Sequence, residues 1–440
     1  MTWSPTLFAG KRFAVVGLGR NGLPAARALV AMGAGVTVWD DKSEARASAT
    51  GLVVAEPVMA GLDALVLSPG IPHYGPDAHP IALAAIAAGV PIWSDAELLF
   101  QAVSASLSKA RFAGITGTNG KSTTTALLAH ILGVAGIPVA AGGNLGTAAL
   151  ALPLLPDNGV YVLEMSSYML ERLATLRFGA AAMLNLSPDH LDRHGDMAGY
   201  IAAKRHVFDR QQVGDLAVVG ADDAASRAMV EGLRGAPAKI VTVSEHAGIA
   251  ALAGAAALPG AHNAQNAAAA SAMALHLGAS RAAVAEGIRS YPGLPHRQEL
   301  VARRGRIRFV NDSKATNADS TARALICYDR ILWIAGGMAK EGGIAPLAEF
   351  FPRVVETLLI GRDAPVLAAT LAAHGQPHRD LGTLEAAVAE AWRLAQRDGA
   401  EIVVLLSPAC ASWDQFTGFD QRGDRFRTLA QACVNEIATP

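Results

Sequence analysis

Arg111-Phe112-Ala113-Gly114-Ile115-Thr116-Gly117-Thr118-Asn119-Gly120-Lys121-Ser122-Thr123-Thr124-Thr125 decides how the 440-residue chain is read. The apolar start predicts a short strand. Gly117 and Gly120 break it, and an apolar helical pattern follows from Ala126 to Leu132. Strand, glycine-rich loop and helix together present backbone N–H groups to a phosphate. Gly120 lets the chain approach the anion, Lys121 reaches the outer phosphates, and the Ser122 hydroxyl can sit on Mg²⁺. The loop is a variant of the common pattern: Ile115 stands where a glycine is usual, and Gly114 is one position early. A solvated lysine on a plain turn is the alternative. Gly-Lys-Ser-Thr at a strand-to-helix junction favours the phosphate.

Ahead of this stretch, Phe13–Val16 reads as a buried strand, Gly17-Leu18-Gly19-Arg20-Asn21-Gly22 as a G-x-G-x-x-G turn, and Leu23–Met32 as a helix. Val36–Trp39 is the next strand, closed by Asp40 and Asp41. That is the dinucleotide fingerprint in its required context. Alone it suggests NAD with Asp40 on a ribose hydroxyl, or another nucleotide on the same geometry. Ala64–Leu67 is a further strand, ending in Ser68-Pro69-Gly70. Ile92-Trp93-Ser94-Asp95 leads into a helix capped by Ser94 or Asp95, and a domain boundary is expected near residues 93–110.

Behind it, the strand 159–164 places Glu164 at its end, where a carboxylate holds Mg²⁺ or caps the next helix. A strand over 181–186 runs into a polar loop in which His190, Asp192 and His194 alternate, a cluster with metal-binding potential. Lys204 lies in a predicted helix, Tyr200–Phe208, with nothing local to mark it. Asn263 and Asn266, three apart, can share one face of an Ala-rich helix. A Pro-rich segment at 291–297 marks a second boundary. The last third alternates strands and helices, with strands at 307–310, 331–335, 357–360 and 402–406 that each end in a polar or Gly-rich loop. Three α/β units in series around one phosphate loop predict an ATP-driven enzyme.

Composition narrows the class. The formal net charge is -1, and no long basic run calls for a nucleic acid. Apolar residues make up 51%, yet no apolar run reaches the roughly 18 residues of a membrane span. The N-terminal residues carry no signal-peptide pattern. Three widely spaced cysteines, Cys327, Cys410 and Cys433, fit a reducing cytoplasm without a disulfide framework or zinc site.

From end to end the chain resembles the Mur ligase family. The marks are TGTNGKST at 116–123, GGNLG at 142–146, LEMSS at 163–167, LNLSPDHLDRH at 184–194, AAK at 202–204, GAHNAQN at 260–266, HR at 296–297 and NDSKATN at 311–317. The block LLSPACASWDQF at 405–416 resembles the D-glutamate-adding member more than its siblings. The resemblance implies an α/β protein of three domains: an N-terminal Rossmann-like domain (1–93), a central P-loop ATPase-like domain with a mostly parallel sheet (94–297), and a C-terminal Rossmann-like domain (298–440).

It also implies an ATP-dependent amide ligase of cytoplasmic peptidoglycan precursor synthesis, a monomer acting on ATP, UDP-N-acetylmuramoyl-L-alanine and D-glutamate without nucleic acid or membrane insertion. Gly117, Thr118, Asn119, Gly120, Lys121, Ser122 and Thr123 would hold the ATP phosphates, with Asn263, Asn266, Arg297 and Asp312 on the adenosine and phosphates. Two Mg²⁺ ions would use Ser122, Glu164, His190 and a carbamoylated Lys204; Lys121, His190, Lys204 and Glu164 would serve the chemistry. Arg20, Asn21, Asp40, Ser68, Pro69 and Gly70 match the uridine diphosphate site, which replaces the NAD reading of the first loop. Asn144 and His190 match the muramoyl-alanine contacts. Lys314, Thr316, Lys340, Ser412 and Phe419 match the D-glutamate pocket. Asp41-Lys42, Met169 and Trp413 depart from the family pattern. A sibling ligase or a folate-type ligase using another amino acid, and more distantly an NAD-dependent dehydrogenase, are the competing expectations.

Overall fold

The computed structural model describes residues 2–248, 252, 254, 255, 257–340 and 342–435, and they form three α/β sheets. The first contains β1 (Arg12–Val16), β2 (Gly35–Trp39), β3 (Val53–Val54), β4 (Ala64–Leu67) and β5 (Ile92–Trp93), in the spatial order β3-β2-β1-β4-β5. The second contains β6 (Arg111–Thr116), β7 (Val139–Gly143), β8 (Val160–Glu164), β9 (Ala180–Met183), β10 (Leu216–Gly220) and β11 (Lys239–Val243), in the order β11-β10-β9-β6-β8-β7. Every pairing in these two sheets is parallel. The third has β12 (Glu299–Arg304), β13 (Ile307–Asn311), β14 (Ile331–Gly336), β15 (Val354–Ile360), β16 (His378–Gly382) and β17 (Ile402–Leu406), ordered β12-β13-β17-β14-β15-β16. Only its edge pair, β12 with β13, is antiparallel. Parallel strands need crossovers, so each sheet is covered by helices and its interior strands are buried apolar runs.

The chain divides into two compact units, Met1–Gly254 with Ala261–Tyr291, and Ala255–Gly260 with Pro292–Pro440. In the first unit, one continuous core joins two sheets. Phe13, Val15 and Val66 of the first sheet and Phe112, Tyr161 and Met183 of the second belong to one cluster, bridged by Ala96, Leu98, Leu99, Ala102 and Val103 of the helix Asp95–Ala105. In the second unit the sheet is covered on both faces. Trp333 and Phe351 lie in one core, and Phe309, Trp392 and Phe426 in the other. No helix among the described residues is long and apolar enough to cross a membrane. The three cysteines are free thiols.

A charged bolt reinforces the bridging helix. Ser94 caps it by accepting the Glu97 N–H at 3.3 Å. The Glu97 carboxylate, fully buried, accepts the backbone N–H groups of Ala174, Thr175 and Leu176 at 2.9–3.0 Å, the Thr175 hydroxyl, and Gln101 Nε2 at 3.1 Å. Burial alone would raise its pKa. The hydrogen bonds outweigh burial and hold it below the usual glutamate value. Glu97→Ala strands the buried Leu176 N–H and frees two more at the part-buried 174–175 turn, so unfolding in urea should show a loss of about 2 kcal/mol or more. A loss under about 1 kcal/mol would refute the bolt.

Candidate active site

The loop Gly117–Gly120 leaves β6 and enters the helix Lys121–Val134. Gly120 caps that helix at φ +84°, and a Cβ there would come within 2.3 Å of Asn266 Oδ1. The same Asn266 oxygen accepts the Thr124 hydroxyl at 3.3 Å, and Asn266 Nδ2 donates to Asn263 Oδ1 at 3.0 Å, so the two asparagines of helix His262–His276 stand together beside the loop. Gly114, the misplaced glycine of the pattern, serves packing: a Cβ would run into the Phe178 ring at 2.8 Å.

Asn185 holds the loop open. The Thr118 N–H donates to its carbonyl at 2.8 Å, the Asn119 N–H donates to its Oδ1 at 2.8 Å, and its Nδ2 returns to the Asn119 carbonyl at 3.1 Å. This corrects the expected strand over 181–186. β9 ends at Met183 because the residues beyond it spend their polar groups on the Gly117–Gly120 loop instead of a ladder. Lys121 Nζ donates to the Gly117 and Thr118 carbonyls at 2.8 and 2.7 Å. Ser122 and Thr123 are buried in the first helical turn.

Glu164 ends β8 directly beside β6, with Ile115 as its register partner. It is 2% exposed. Oε1 accepts Asn144 Nδ2 at 2.7 Å, while Oε2, also buried, has no hydrogen-bond partner among the described residues. An unused carboxylate oxygen at a strand end by a phosphate loop suits a hard cation such as Mg²⁺, and the Ser122 hydroxyl supplies a second oxygen of the right kind. Lys204, also 2% exposed, donates to the Gly117 carbonyl at 2.8 Å and approaches Thr116 Oγ1 at 3.4 Å, over the Tyr200 ring. Burial drives its pKa well below the usual lysine value. The Lys121 charge adds to this, and Asp189 and Glu164 oppose it.

The alternating His190, Asp192 and His194 do not converge. His190 adopts a left-handed backbone (φ +53°) and lies 3.5 Å from Asp189 Oδ2. The short helix Leu191–His194 turns His194 inward, to Ser167 Oγ at 2.9 Å and Glu171 at 3.3 Å. Among the described residues, no group of three or more His, Cys, Asp or Glu side chains is gathered as a metal site.

In the first sheet, Asp40 accepts the Leu18 N–H at 2.7 Å through one oxygen and the Lys42 N–H at 2.9 Å through the other, so its carboxylate shapes both turns. Gly22 is compulsory, since a Cβ would lie 1.8 Å from the Gly17 carbonyl. Ser68 Oγ donates to that same carbonyl at 2.7 Å. Arg20 reaches the Gly146 carbonyl at 3.1 Å, and Asn21 Nδ2 donates to Gly143 O at 3.3 Å and approaches Asp95 Oδ2 at 3.4 Å, bringing the first loop onto the Asn144 loop. Asp95 also accepts the Ala149 N–H at 2.7 Å, and burial pushes its pKa up to about 6. The unusual Asp41 is engaged by His79 at 3.1 Å, a hydrogen bond that lowers its pKa.

In the second unit, Asp312 follows β13 and accepts the Ser407 hydroxyl at 2.8 Å and the Gln298 N–H at 3.2 Å; burial pushes its pKa up to about 7. Arg297 is near enough to oppose that shift. Lys314 Nζ lies 5.5 Å over the Phe419 ring. Thr316 donates its N–H to the Lys314 carbonyl at 3.0 Å, and Ser412 is buried, its carbonyl accepting the Phe416 N–H at 2.9 Å. Lys340 lies past β14, on the loop that pairs Met338 with Ala411. Arg422, which the sequence did not single out, gathers these loops. Its buried guanidinium donates to Ser313 Oγ and the Ser313 carbonyl at 3.0 Å, to Cys410 O at 3.1 Å and to Gly336 O at 3.4 Å. The departing Trp413 is 67% exposed.

A family model described as the Mur ligase middle domain matches residues 115–257. Over nearly its full length the chain is similar to a UDP-N-acetylmuramoylalanine–D-glutamate ligase of Paramagnetospirillum magneticum, 51% identical and covering 98% of each. A like-named enzyme of Rhodospirillum rubrum is 47% identical, over 96% of this chain and 94% of the relative. Among solved structures, UDP-N-acetylmuramate-alanine ligase MurC from Thermotoga maritima aligns with a TM-score of 0.57 at 18% identity, covering 96% of this chain and 99% of that one. MurF from Acinetobacter baumannii gives 0.58 at 18% identity, over 99% and 93%. At such identities these two bear on the fold alone.

Two outcomes follow from this geometry. Asn185→Ala removes two hydrogen bonds from the phosphate loop, and at roughly 1 kcal/mol each the KM for ATP should rise about tenfold or more; an unchanged KM would mean the loop holds its own shape. Asp312 has a folded pKa above its unfolded one, so its contribution to stability is fully present below about pH 4 and is lost as pH rises through about 7. Asp312→Asn should therefore gain on the parent, in urea unfolding of the second unit, by on the order of 1–3 kcal/mol between pH 5 and pH 8. A pH-independent difference would contradict the buried carboxyl.

Proposed function

We infer that the chain, which belongs to the UDP-N-acetylmuramoylalanine–D-glutamate ligase family of Mur ligases, is an ATP-dependent acid–amino-acid ligase that adds D-glutamate to UDP-N-acetylmuramoyl-L-alanine in peptidoglycan precursor synthesis. The observation that carries the assignment of its chemistry is the meeting of Lys121, Lys204 and Glu164 around the Gly117 loop.

In this reading residues 1–93 receive the uridine diphosphate through Arg20, Asn21, Asp40, Ser68, Pro69 and Gly70. Residues 94–297 bind ATP, and 298–440 bind D-glutamate through Lys314, Thr316, Lys340, Ser412 and Phe419. Asn263, Asn266, Arg297 and Asp312 serve the adenosine and its phosphates, and Asn144 and His190 the muramoyl-alanine end. The N–H groups of the Lys121–Thr123 turn and the Lys121 ammonium hold the γ end of ATP. An oxygen of the substrate carboxylate bonds to the γ-phosphorus while the bond to the bridging oxygen breaks and ADP departs. The D-glutamate amine then bonds to the acyl carbon. Phosphate leaves with the electron pair of the acyl–oxygen bond, and the amine gives up a proton. Lys314 and Lys340 steer the incoming carboxylates as charge-assisted pairs.

Ser122 and Glu164 would hold one Mg²⁺, and His190 with a carbamoylated Lys204 a second; bound there, the ions would neutralise phosphate charge. Carbamoylation requires a neutral amine, the form that the burial of Lys204 favours. The neutral nitrogen bonds to the carbon of CO₂, one C=O pair moves to oxygen, and the nitrogen loses a proton, so a neutral amine becomes an anion. The enzyme is taken to work as a monomer in the cytoplasm.

Phosphate release from Mg·ATP with UDP-N-acetylmuramoyl-L-alanine, measured separately with D-glutamate, L-glutamate, L-alanine and diaminopimelate, tests the reading. Release with D-glutamate alone is expected. Release with a different amino acid would displace the assignment of Ser412 and Phe419, and none with any of them would displace the nucleotide substrate.

A further inference from the structure

Arg172 is the largest buried cation for which the chemistry above has no use in the first unit. It is 2% exposed and follows the short helix Ser167–Leu170. Among the described residues no carboxylate forms an ion pair with its guanidinium, although the Glu171 charge is near enough to favour it. Nη1 donates to the Leu67 and Ser68 carbonyls at 2.8 and 2.9 Å, Nη2 donates to the Ile71 carbonyl, and Nε donates to His73 Nδ1 at 3.3 Å. The loop leaving β4 is thus wrapped around one planar fork, a geometry that a lysine point charge cannot reproduce.

Burial and the Arg193 charge lower the Arg172 pKa to about 10, which leaves the guanidinium charged at neutral pH. Arg193 Nη2 reaches the same His73 Nδ1 at 3.2 Å, and its guanidinium lies 4.8 Å over the Tyr74 ring. An imidazole nitrogen that faces two guanidiniums must stay unprotonated, and burial with both arginines pushes the His73 pKa down to about 4. Glu171, the neighbouring carboxylate, is turned to Tyr74 and His194. Burying a cation whose partners are neutral carbonyls costs desolvation that neutral packing would avoid. The opposite edge of the loop is open: a Cβ added at Gly70 would meet nothing within 4 Å. A loop with a buried cation beneath it, bonded among the described residues only to carbonyls and an imidazole, and with an open glycine edge, suits an anion laid along its backbone.

We propose that Arg172 is a positioning residue for the diphosphate of the nucleotide substrate, fixing the backbone of residues 67–71 from beneath and leaving a positive charge under the bound anion. This rests on the reading of Ser68, Pro69 and Gly70 as the uridine diphosphate site. Because Arg172 acts on one substrate and not on the phosphate loop, its loss separates the constants of the two nucleotides.

The test compares Arg172→Lys and Arg172→Gln with Gly70→Val, a variant that crowds the open edge without touching the fork. The readouts are kcat, both nucleotide KM values and the thermal midpoint. Both Arg172 variants should raise the KM for UDP-N-acetylmuramoyl-L-alanine about tenfold or more, the glutamine more than the lysine, with kcat within about threefold and the KM for ATP unchanged. If Gly70→Val raises that KM and neither Arg172 variant does, the positioning role fails and the site reading stands. If none of the three moves it, the site reading itself fails. If kcat, both KM values and the midpoint deteriorate together in Arg172→Lys, the residue is structural only and the proposal is overturned; that variant keeps the charge, so it decides the matter where the glutamine does not fold.

Discussion

Two lysine side chains share one backbone carbonyl. Lys121 and Lys204 each donate to Gly117 O at 2.8 Å, and Lys204 does so while 2% exposed. Like charges this close, one of them desolvated, cannot both be comfortable as cations. Neutral Lys204 relieves the conflict, and so does an anionic ligand laid along the loop. The site is therefore poised by electrostatics before any substrate arrives, and its most perturbed group is the one whose modification would change the sign of its charge. Glu164, with one oxygen on Asn144 and the other unused, provides the complementary acceptor on the next strand.

Within each unit, polar side chains rather than apolar contacts fix the loops. Asn185 spends its backbone and side chain on Thr118 and Asn119. Glu97 pins the 174–176 turn, and Arg422 ties the ends of β13, β14 and β17. Each joins segments far apart in sequence, and each is bonded mainly to backbone atoms of a loop. Removing one partner leaves several groups unpaired, which makes such bolts stiff. Stiffness at the carboxyl ends of parallel strands is what a site built from loops requires.

The strands that flank the sites were legible because each is an apolar run ending in glycine or a polar turn: β1, β2, β4, β6, β8, β13, β14 and β17. Edge strands were not. β3 has two residues, β16 is largely polar, and β12 is polar on one face, so none carries a clear period. The glycine-rich loop after β6, Glu164 at the end of β8 and the paired Asn263 and Asn266 could be singled out as candidates from local spacing. Lys204 could be placed only by resemblance, because its significance lies in a carbonyl 87 positions away. Asn185, Arg172 and Glu97 escaped for the same reason. The expectation that His190, Asp192 and His194 cluster failed because four residues of helix turn His194 toward Ser167.

Carbon-13 NMR of the protein equilibrated with labelled bicarbonate bears most directly on the shared-carbonyl site. The expected result is a carbamate carbonyl resonance that disappears, together with ligase activity, in Lys204→Ala, with part of the activity restored by a short carboxylic acid. A fully active enzyme with no such resonance, or an active Lys204→Ala variant, would contradict the role assigned to the buried amine.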